Sequence, residues 1–471
     1  MSKFFFSLLA AVCLLSVSLS PVLAQSAQPP AGPTYIVQPG DSLSGIAARF
    51  NVSLNDLMSA NAISDANTLS AGASLVIPGL DGVTGLLVSN TVSYGETLND
   101  LSRRYQVDIS TLQKINHLSS PAELYVGVNV IVPQSPESQP LARRFSLLPG
   151  ETLLEQAALQ NQNPYTLETL NDLPGVWAAL PGETYYLPGS ASLGQENANG
   201  LPPAFRRVVI ESLPLTQGRT AKITVTAPSG SQVSGLLVDK PLHFAAVEEG
   251  VFLALQGVHA MLEPGPYPLR LEVTLPDGGQ QSFEQMIVVQ SGYYPDDPIL
   301  LVEPSTIDPA TSDSEFAQIA ALIAPFTPTR AWQGLFLNPS YFPDCFTSRY
   351  GNRRVYLGQG TEQKYYSFHS GLDFCGGEGL PITAPAAGTV VFAGPLTIRG
   401  NATIIDHGWG VYSGIWHQSK IEVQVGQTVQ AGDVIGYVGG TGRVTGAHLH
   451  WEVWVNGVQV NPFDWLETAY P

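Results

Sequence analysis

The strongest constraint on what this chain can fold into is a repeat. Gly40, Gly95 and Gly150 each precede an acidic residue (Asp41, Glu96, Glu151), and the same 55-residue offset relates Asn61, Asn116 and Asn171. It also relates Gly72, Gly127 and Gly182, and Pro78, Pro133 and Pro188. A register kept over three copies is an internal duplication, so the N-terminal region is a small unit used three times, not one large core. With 471 residues overall, three or more domains are expected. In copy one, Leu43, Ile46, Ala47 and Phe50 fall on one helix face, with Asp41 or Ser42 placed to cap it. Ser53 caps a second helix carrying Leu54, Leu57 and Met58, and the apolar runs Tyr35 to Val37 and Leu75 to Ile77 bracket the pair as strands. Copy two keeps Leu98, Leu101 and Tyr105 on its helix face, whereas copy three has drifted, with Gln160 and Gln162 at apolar positions.

A strand, two helices and a strand, opened by Tyr-x-Val-x-Pro-Gly-Asp-Ser-Leu and followed by an Asn and Val-Ile-Pro, resemble the LysM module. The expected boundaries are 34–78, 88–133 and, for a degenerate copy, 143–188. The resemblance implies binding to N-acetylglucosamine-containing glycans such as peptidoglycan and chitin, and leaves open whether the third copy binds.

The rest of the chain reads as strands and turns, in keeping with its 46 glycines, 37 prolines and 13% charged residues. From Phe205 to Gln290 alternating runs recur between turn signals such as Pro276-Asp-Gly-Gly279, which suggests an immunoglobulin-like β-sandwich over 205–291. A polar linker, Ser190 to Pro203, precedes it. Ser312-Asp-Ser-Glu315 reads as a capping box for a short helix that carries Phe316, Ile319, Ala320 and Ile323 on one face and stops at Pro325. At the other end, Lys3 precedes the apolar run Phe4 to Leu19, and Val22-Leu-Ala24 offers a cleavage site, so 1–24 reads as a secretory signal peptide and 25–33 as a leader. The run is short for a membrane span, and no lipobox surrounds Cys13. Export to the cell wall, periplasm or exterior is expected, without stable membrane insertion after cleavage. The charge balance, 39 acidic residues against 21 basic, argues against nucleic-acid and anionic membrane partners.

Chemistry concentrates near the C-terminus. His369-Ser-Gly-Leu-Asp373 and, later, His448-Leu-His450 offer nitrogen and oxygen donors suited to a divalent ion. The second motif sits in an alternating run through Val455, so both imidazoles face one side of a strand while Leu449, Trp451 and Val453 pack behind. A catalytic zinc takes three protein ligands and keeps a position for water. His369, Asp373 and one of the His448/His450 pair make that set and leave the other histidine to move protons.

The ordered blocks Thr347-Ser-Arg-Tyr-Gly-Asn-Arg353, Phe368-His-Ser-Gly-Leu-Asp373, Thr383-Ala-Pro-Ala-Ala-Gly388, Ile405-Asp-His-Gly-Trp-Gly410, Val411 to His417 and Thr441 to His450 resemble the lysostaphin-type (LytM, or M23) zinc endopeptidases of bacterial cell walls. The resemblance implies a mainly antiparallel-β peptidase domain, placed at 330–471, with His369, Asp373 and His450 as zinc ligands. It implies that His448 and His417 are catalytic histidines beside the metal, and that His407 is structural. Ala447 and Gln418 stand where the family usually has proline and leucine. Once the signal is removed, Cys345 and Cys375 are the remaining cysteines, and in an exported chain they are expected to bridge. The whole reads as a zinc endopeptidase that cleaves peptide cross-links or bridges of peptidoglycan, brought to the wall by its LysM modules. A non-enzymatic LytM-type regulator of wall hydrolases, or a glycan-binding wall protein with a structural zinc, are the alternatives.

Overall fold

The computed structural model describes residues 32–134, 140–147, 150–189 and 200–471. The expected signal peptide, most of the leader and residues 190–199 of the expected linker lie outside them. The chain divides into two compact units, Met1–Gly85 and Leu86–Pro471.

In the first unit, strand Thr34–Ile36 pairs antiparallel with Ser74–Val76, and helices Leu43–Arg49 and Leu54–Ala60 lie between them in sequence. The helix caps are the hydroxyls: Ser42 Oγ accepts the Gly45 N–H and Ser53 Oγ that of Asp56. Asp41, the other candidate cap, instead accepts the Tyr35 hydroxyl at 2.7 Å and the Gln38 N–H at 2.8 Å. In the second unit the same order recurs twice. Strands Leu86–Thr91 and Asn129–Gln134 pair around helices Leu98–Tyr105 and Ile109–Asn116. Strands Arg143–Ser146 and Thr184–Leu187 pair around helices Leu153–Leu159 and Pro164–Leu170.

The repeated asparagine explains itself physically. A primary amide offers an acceptor and two donors, and each copy spends all three on one clasp between the second helix and the last strand. Asn61 donates to the Leu57 and Val76 carbonyls and accepts the Val76 N–H. Asn116 does the same with Leu112 and Ile131, and Asn171 with Leu167 and Tyr186. The repeated glycines have an equally local cause: Gly40, Gly95 and Gly150 sit at φ of 89°, 89° and 92°, where a side chain is strained.

Residues 205–291 form two sheets. One has strands in the order Lys240–Leu242, Gln232–Leu237, Gly265–Thr274, Gln280–Gln290, Leu215–Thr216; the other runs Ala245–Glu248, Val251–Gly257, Thr220–Thr226, Arg207–Ile210. Alternation places Leu269, Leu271 and Val273 of the first and Ile223 and Val225 of the second in one shared core. The second repeat is joined to this body. Tyr94 donates to the Phe283 carbonyl at 2.5 Å, Gly95 N–H to Gln285 Oε1 at 2.8 Å, and Val126 exchanges backbone bonds with Met286 and Val288.

The C-terminal region is built on a large antiparallel sheet with strands in the order Phe346–Ser348, Leu372–Phe374, Leu449–Val455, Val411–Gln418, Gly400–Gly408, Gly388–Leu396, Thr428–Val429. Leu449, Trp451 and Val453 are fully buried beneath it, as the alternation requires. The two-sheet body shares this core through Leu253 and Leu255, and Asn456 donates to the Leu255 carbonyl at 2.6 Å. Cys345 and Cys375 are bridged, with Cα atoms 5.5 Å apart.

One local expectation is corrected. The helix before this sheet does not start at Ser312; it runs Pro309–Ile323, capped by Asp308, whose carboxylate accepts the Thr311 N–H at 2.9 Å, with proline at the first turn. Asp-Pro outcompetes the later serine because proline's fixed φ suits a first turn and the aspartate satisfies a free N–H. The buried face is Ser312, Glu315, Ile319 and Ile323, whereas Phe316 and Ala320 are exposed. Ile319 and Ile323 pack on Ala402, Ile404, Tyr412 and Trp416 of the large sheet.

Candidate functional site

The site is assembled around one cross-strand pair. Asp373, on strand Leu372–Phe374, stands directly opposite His450 on Leu449–Val455, and Trp416 lies opposite His450 on the other side. That register carries His417 to the same end of the sheet. His369 lies just past strand Lys364–Phe368, with its backbone N–H held by the Asn352 carbonyl at 2.7 Å. The glycine between His369 and Asp373 is required by close approach: a Cβ on Gly371 would fall 2.3 Å from the Trp451 carbonyl oxygen and 2.7 Å from His450 Nε2.

Three donor atoms converge. Asp373 Oδ1 is 3.0 Å from His369 Nε2 and 2.6 Å from His450 Nδ1, and the two nitrogens are 3.1 Å apart. Ligands of a tetrahedral ion at about 2.0–2.1 Å are separated by roughly 3.3 Å, so this triangle fits a small divalent cation. His417, His448 and His450 form a second, overlapping group, and in each group the candidate ligand atoms lie within 4.8 Å of one another. His448 sits one residue ahead of its strand, bridged to Gly439, with Nε2 3.5 Å from Asp373 Oδ1. The sequence-predicted residues His369, Asp373, His417, His448 and His450 are therefore gathered in one place.

Each imidazole is oriented by its second nitrogen. His369 Nδ1 faces the Arg349 carbonyl at 2.7 Å and His450 Nε2 faces Glu452 Oε1 at 3.2 Å. His417 Nδ1 faces the Thr441 carbonyl at 2.8 Å, and His448 Nδ1 that of Gly446 at 2.8 Å. A carbonyl can only accept, so Nδ1 of His369, His417 and His448 carries a proton. His450 faces a carboxylate on both sides, and its Nδ1, like His369 Nε2, serves as a ligand where a cation takes the place of a proton against Asp373.

The electrostatics follow from burial and proximity. Burial alone would raise the Asp373 carboxyl, but the His369 and His450 imidazoles outweigh it and hold it well below the usual carboxylate range. Arg354 adds to this, bonding Asp373 Oδ2 at 3.2 Å and Asp297 at 2.9 Å. Burial lowers His369 against the pull of Asp373, and burial with the neighbouring His448 and His450 rings pushes His417 well down. Burial would lower His450 too, but Asp373 and Glu452 reverse the sign and raise it. Glu452, despite burial, is held at about 2 by its bond to His450 and the Arg399 charge. The groove beside these residues encloses about 470 Å³, with Phe316, Tyr356, Arg399 and Arg443 on its walls.

Four contributors lie outside the His369–Asp373 and His448–His450 motifs: Glu452, Arg354 and the carbonyls of Arg349 and Thr441. Glu452 had a signal, since it lies two residues from His450 on the same strand face. Arg354 had none that is local, and the carbonyls of Arg349 and Thr441 act through backbone that any residue provides. The remaining histidines stay outside the cluster. His407 is buried between the Ala387 carbonyl and the Ser413 hydroxyl, 2.8 and 2.9 Å away. His243 stacks on Phe326 and His259 meets the edge of Phe368.

The model of Peptidase family M23 matches residues 367–462, and that of the LysM domain matches residues 35–78 and 91–133. Among curated proteins, the DD-carboxypeptidase/endopeptidase Mpg of Neisseria meningitidis serogroup B is 42% identical over 97 residues, 21% of this chain and 22% of that protein. The peptidoglycan DD-endopeptidase ShyA of Vibrio cholerae is 43% identical over 93 residues, 20% of this chain and 22% of that protein. The matched stretch thus spans about a fifth of the length of these relatives. Among solved structures, a putative peptidase M23 from Pseudomonas aeruginosa superposes with a TM-score of 0.42 at 29% identity, covering 54% of this chain and 96% of that one. The catalytic domain of lysostaphin from Staphylococcus simulans gives a TM-score of 0.21 at 33% identity, covering 21% of this chain and 80% of that one.

Proposed function

With an M23 peptidase domain at residues 367–462 behind LysM domains at 35–78 and 91–133, we propose that this chain is an exported, zinc-dependent endopeptidase that cuts peptide cross-links or bridges of bacterial peptidoglycan. The carrying observation is the convergence of His369 Nε2, Asp373 Oδ1 and His450 Nδ1, with the second nitrogen of both imidazoles engaged elsewhere. These three are the ligands of the proposal: all are buried, whereas the alternative group includes the partly exposed His448. Imidazole and carboxylate donors suit zinc, and three of them leave a position for water. Two similar proteins carry endopeptidase names, which supports the substrate class.

A bound zinc supplies Lewis acidity and a water acidic enough to deprotonate near neutral pH. The protein's own part is orientation and proton movement. His448, its Nδ1–H held by Gly446, takes the proton of the attacking water at Nε2. His417, its Nδ1–H held by Thr441, offers Nε2 as a second acceptor. Once protonated there, it donates to the developing oxyanion or the departing nitrogen. Glu452 fixes the His450 ring and Arg354 the second oxygen of Asp373.

The proposed organisation is a signal peptide at 1–24, LysM modules at 34–78 and 88–133 and a degenerate one at 143–188. An immunoglobulin-like sandwich at 205–291 and a peptidase domain at 330–471 complete it. The modules raise the local concentration of the peptidase at the wall. Among the described residues no helix is long and apolar enough to cross a membrane.

The test is hydrolysis of purified peptidoglycan sacculi by the full chain, with products weighed by mass spectrometry. New peptide termini that disappear with chelator and return with zinc are expected. A zinc-loaded chain that binds sacculi and releases nothing contradicts the proposal and favours a regulatory or structural wall protein.

A further inference from the structure

We propose that Glu315, on helix Pro309–Ile323, is a positioning residue for His417, so that the working catalytic unit begins well before the segment matched by the peptidase family model. The inference rests on the reading of His417 as a proton carrier.

His417 has backbone φ of 61°, in the left-handed region that a residue with a side chain occupies only when its surroundings hold it there. Two carbonyls do the holding: the His417 N–H donates to Arg399 at 2.9 Å and its Nδ1–H to Thr441 at 2.8 Å. Both carbonyls belong to loops that clasp one another. Thr441 Oγ1 accepts the Asn401 N–H at 2.9 Å and donates to the Gln418 carbonyl at 3.0 Å. The Arg443 N–H donates to the Ile398 carbonyl at 2.8 Å. Gly400 passes so close that a Cβ there would lie 2.3 Å from the Thr441 carbonyl oxygen.

The N–H groups of Ile398 and Arg399 are satisfied from outside the sheet. Glu315 Oε2 accepts the Ile398 N–H at 2.7 Å, and Oε1 accepts the Arg399 N–H at 3.2 Å and its guanidinium at 3.0 Å. The carboxylate is 5% exposed, on the face where Ile319 and Ile323 pack. A helix that needed only to cover the sheet would carry an apolar residue there, because a buried carboxylate is costly unless several donors meet it. Here three donors of one turn do, and that turn carries the carbonyl that fixes His417. The Arg399 guanidinium, stacked against Trp416 and Phe316, completes the wall of the groove.

The experiment is a double-mutant cycle on the full chain, with kcat and KM measured on soluble cross-linked muropeptides from sacculi, beside bound zinc. Glu315→Gln keeps one carbonyl acceptor and loses the charge. It is expected to lower kcat about ten- to a hundredfold, the scale of a sub-ångström to ångström misplacement, with KM and zinc unchanged. In a His417→Ala background the same substitution should change kcat less than about twofold, since the residue it positions is gone. An equal loss in both backgrounds, or none in the unaltered chain, overturns the inference. Should Glu315→Gln not fold, Glu315→Asp keeps the charge, draws the carboxylate back from the Ile398–Arg399 turn and is read the same way. Zinc-loaded wild-type protein that releases no product contradicts the endopeptidase reading itself, an outcome distinct from equal factors.

Discussion

His407 shows what burial does to a histidine that is not part of the site. Its ring lies against Phe336, enclosed on both nitrogens, and burial pushes its pKa from 6.5 down to about 4. A depressed folded-state value means that the contribution to stability is complete above about 6.5 and is lost as pH falls towards 4. In that window the unfolded chain takes up a proton that the folded chain refuses. The shift corresponds to roughly 3 kcal/mol. Chemical denaturation at pH 7 and pH 4.5 is expected to show that His407→Gln has a flatter acid limb than wild type by about that amount. Parallel limbs would show that the ring is not the source. At this scale the sequence was informative wherever a side chain acts through a motif. His369 and Asp373 are four residues apart and His448 and His450 two, close enough to read as motifs, and the two pairs meet because Asp373 stands opposite His450. Arg354 and the Thr441 carbonyl were illegible, because their partners lie 19 and 24 residues away and are chosen by sheet register.

Among the elements, the repeats combine the most legible and the least legible features of the chain. The asparagine clasp and the positive-φ glycines are local, so their 55-residue recurrence could be read directly. That the second copy is bonded to the two-sheet body, through Tyr94, Gly95 and Val126, could not, since those bonds run to Phe283, Gln285, Met286 and Val288 far along the chain. The consequence is an asymmetry between copies that look alike in sequence. Deleting 34–78 is expected to reduce retention on insoluble peptidoglycan while leaving the melting temperature of the remaining chain essentially unchanged and the turnover of soluble muropeptides within about twofold. Deleting 88–133 is expected to lower both, because it strips buried polar partners from the two-sheet body. Pull-down with calorimetry on each deletion decides this, and equal melting temperatures for the two would refute it. The mis-set helix start belongs at this scale as well. Ser-Asp-Ser-Glu is a sound cap signature, but Glu315 is withdrawn from capping by the turn it holds, and Asp308-Pro309 takes over.

For the whole molecule, the residues form a graded series. LysM domains match towards the N-terminal end, a two-sheet body shares its core with the C-terminal sheet, and one buried cluster of imidazoles and carboxylates carries the proposed chemistry. Everything proposed for the molecule depends on dividing that cluster into ligands and proton carriers. Histidines 448 and 450 are two residues apart, yet their surroundings differ: His450 is buried between Asp373 and Glu452, and His448 is partly exposed beside His417. The deciding measurement is bound zinc per chain, taken beside the rate of peptidoglycan hydrolysis, for His450→Ala, His448→Ala and His417→Ala. His450→Ala is expected to lose both zinc and activity, because only His369 and Asp373 remain. The other two are expected to keep zinc while turnover falls by roughly 10²–10⁴, the range for removing a proton carrier. Zinc released by His448→Ala and retained by His450→Ala would contradict the assignment.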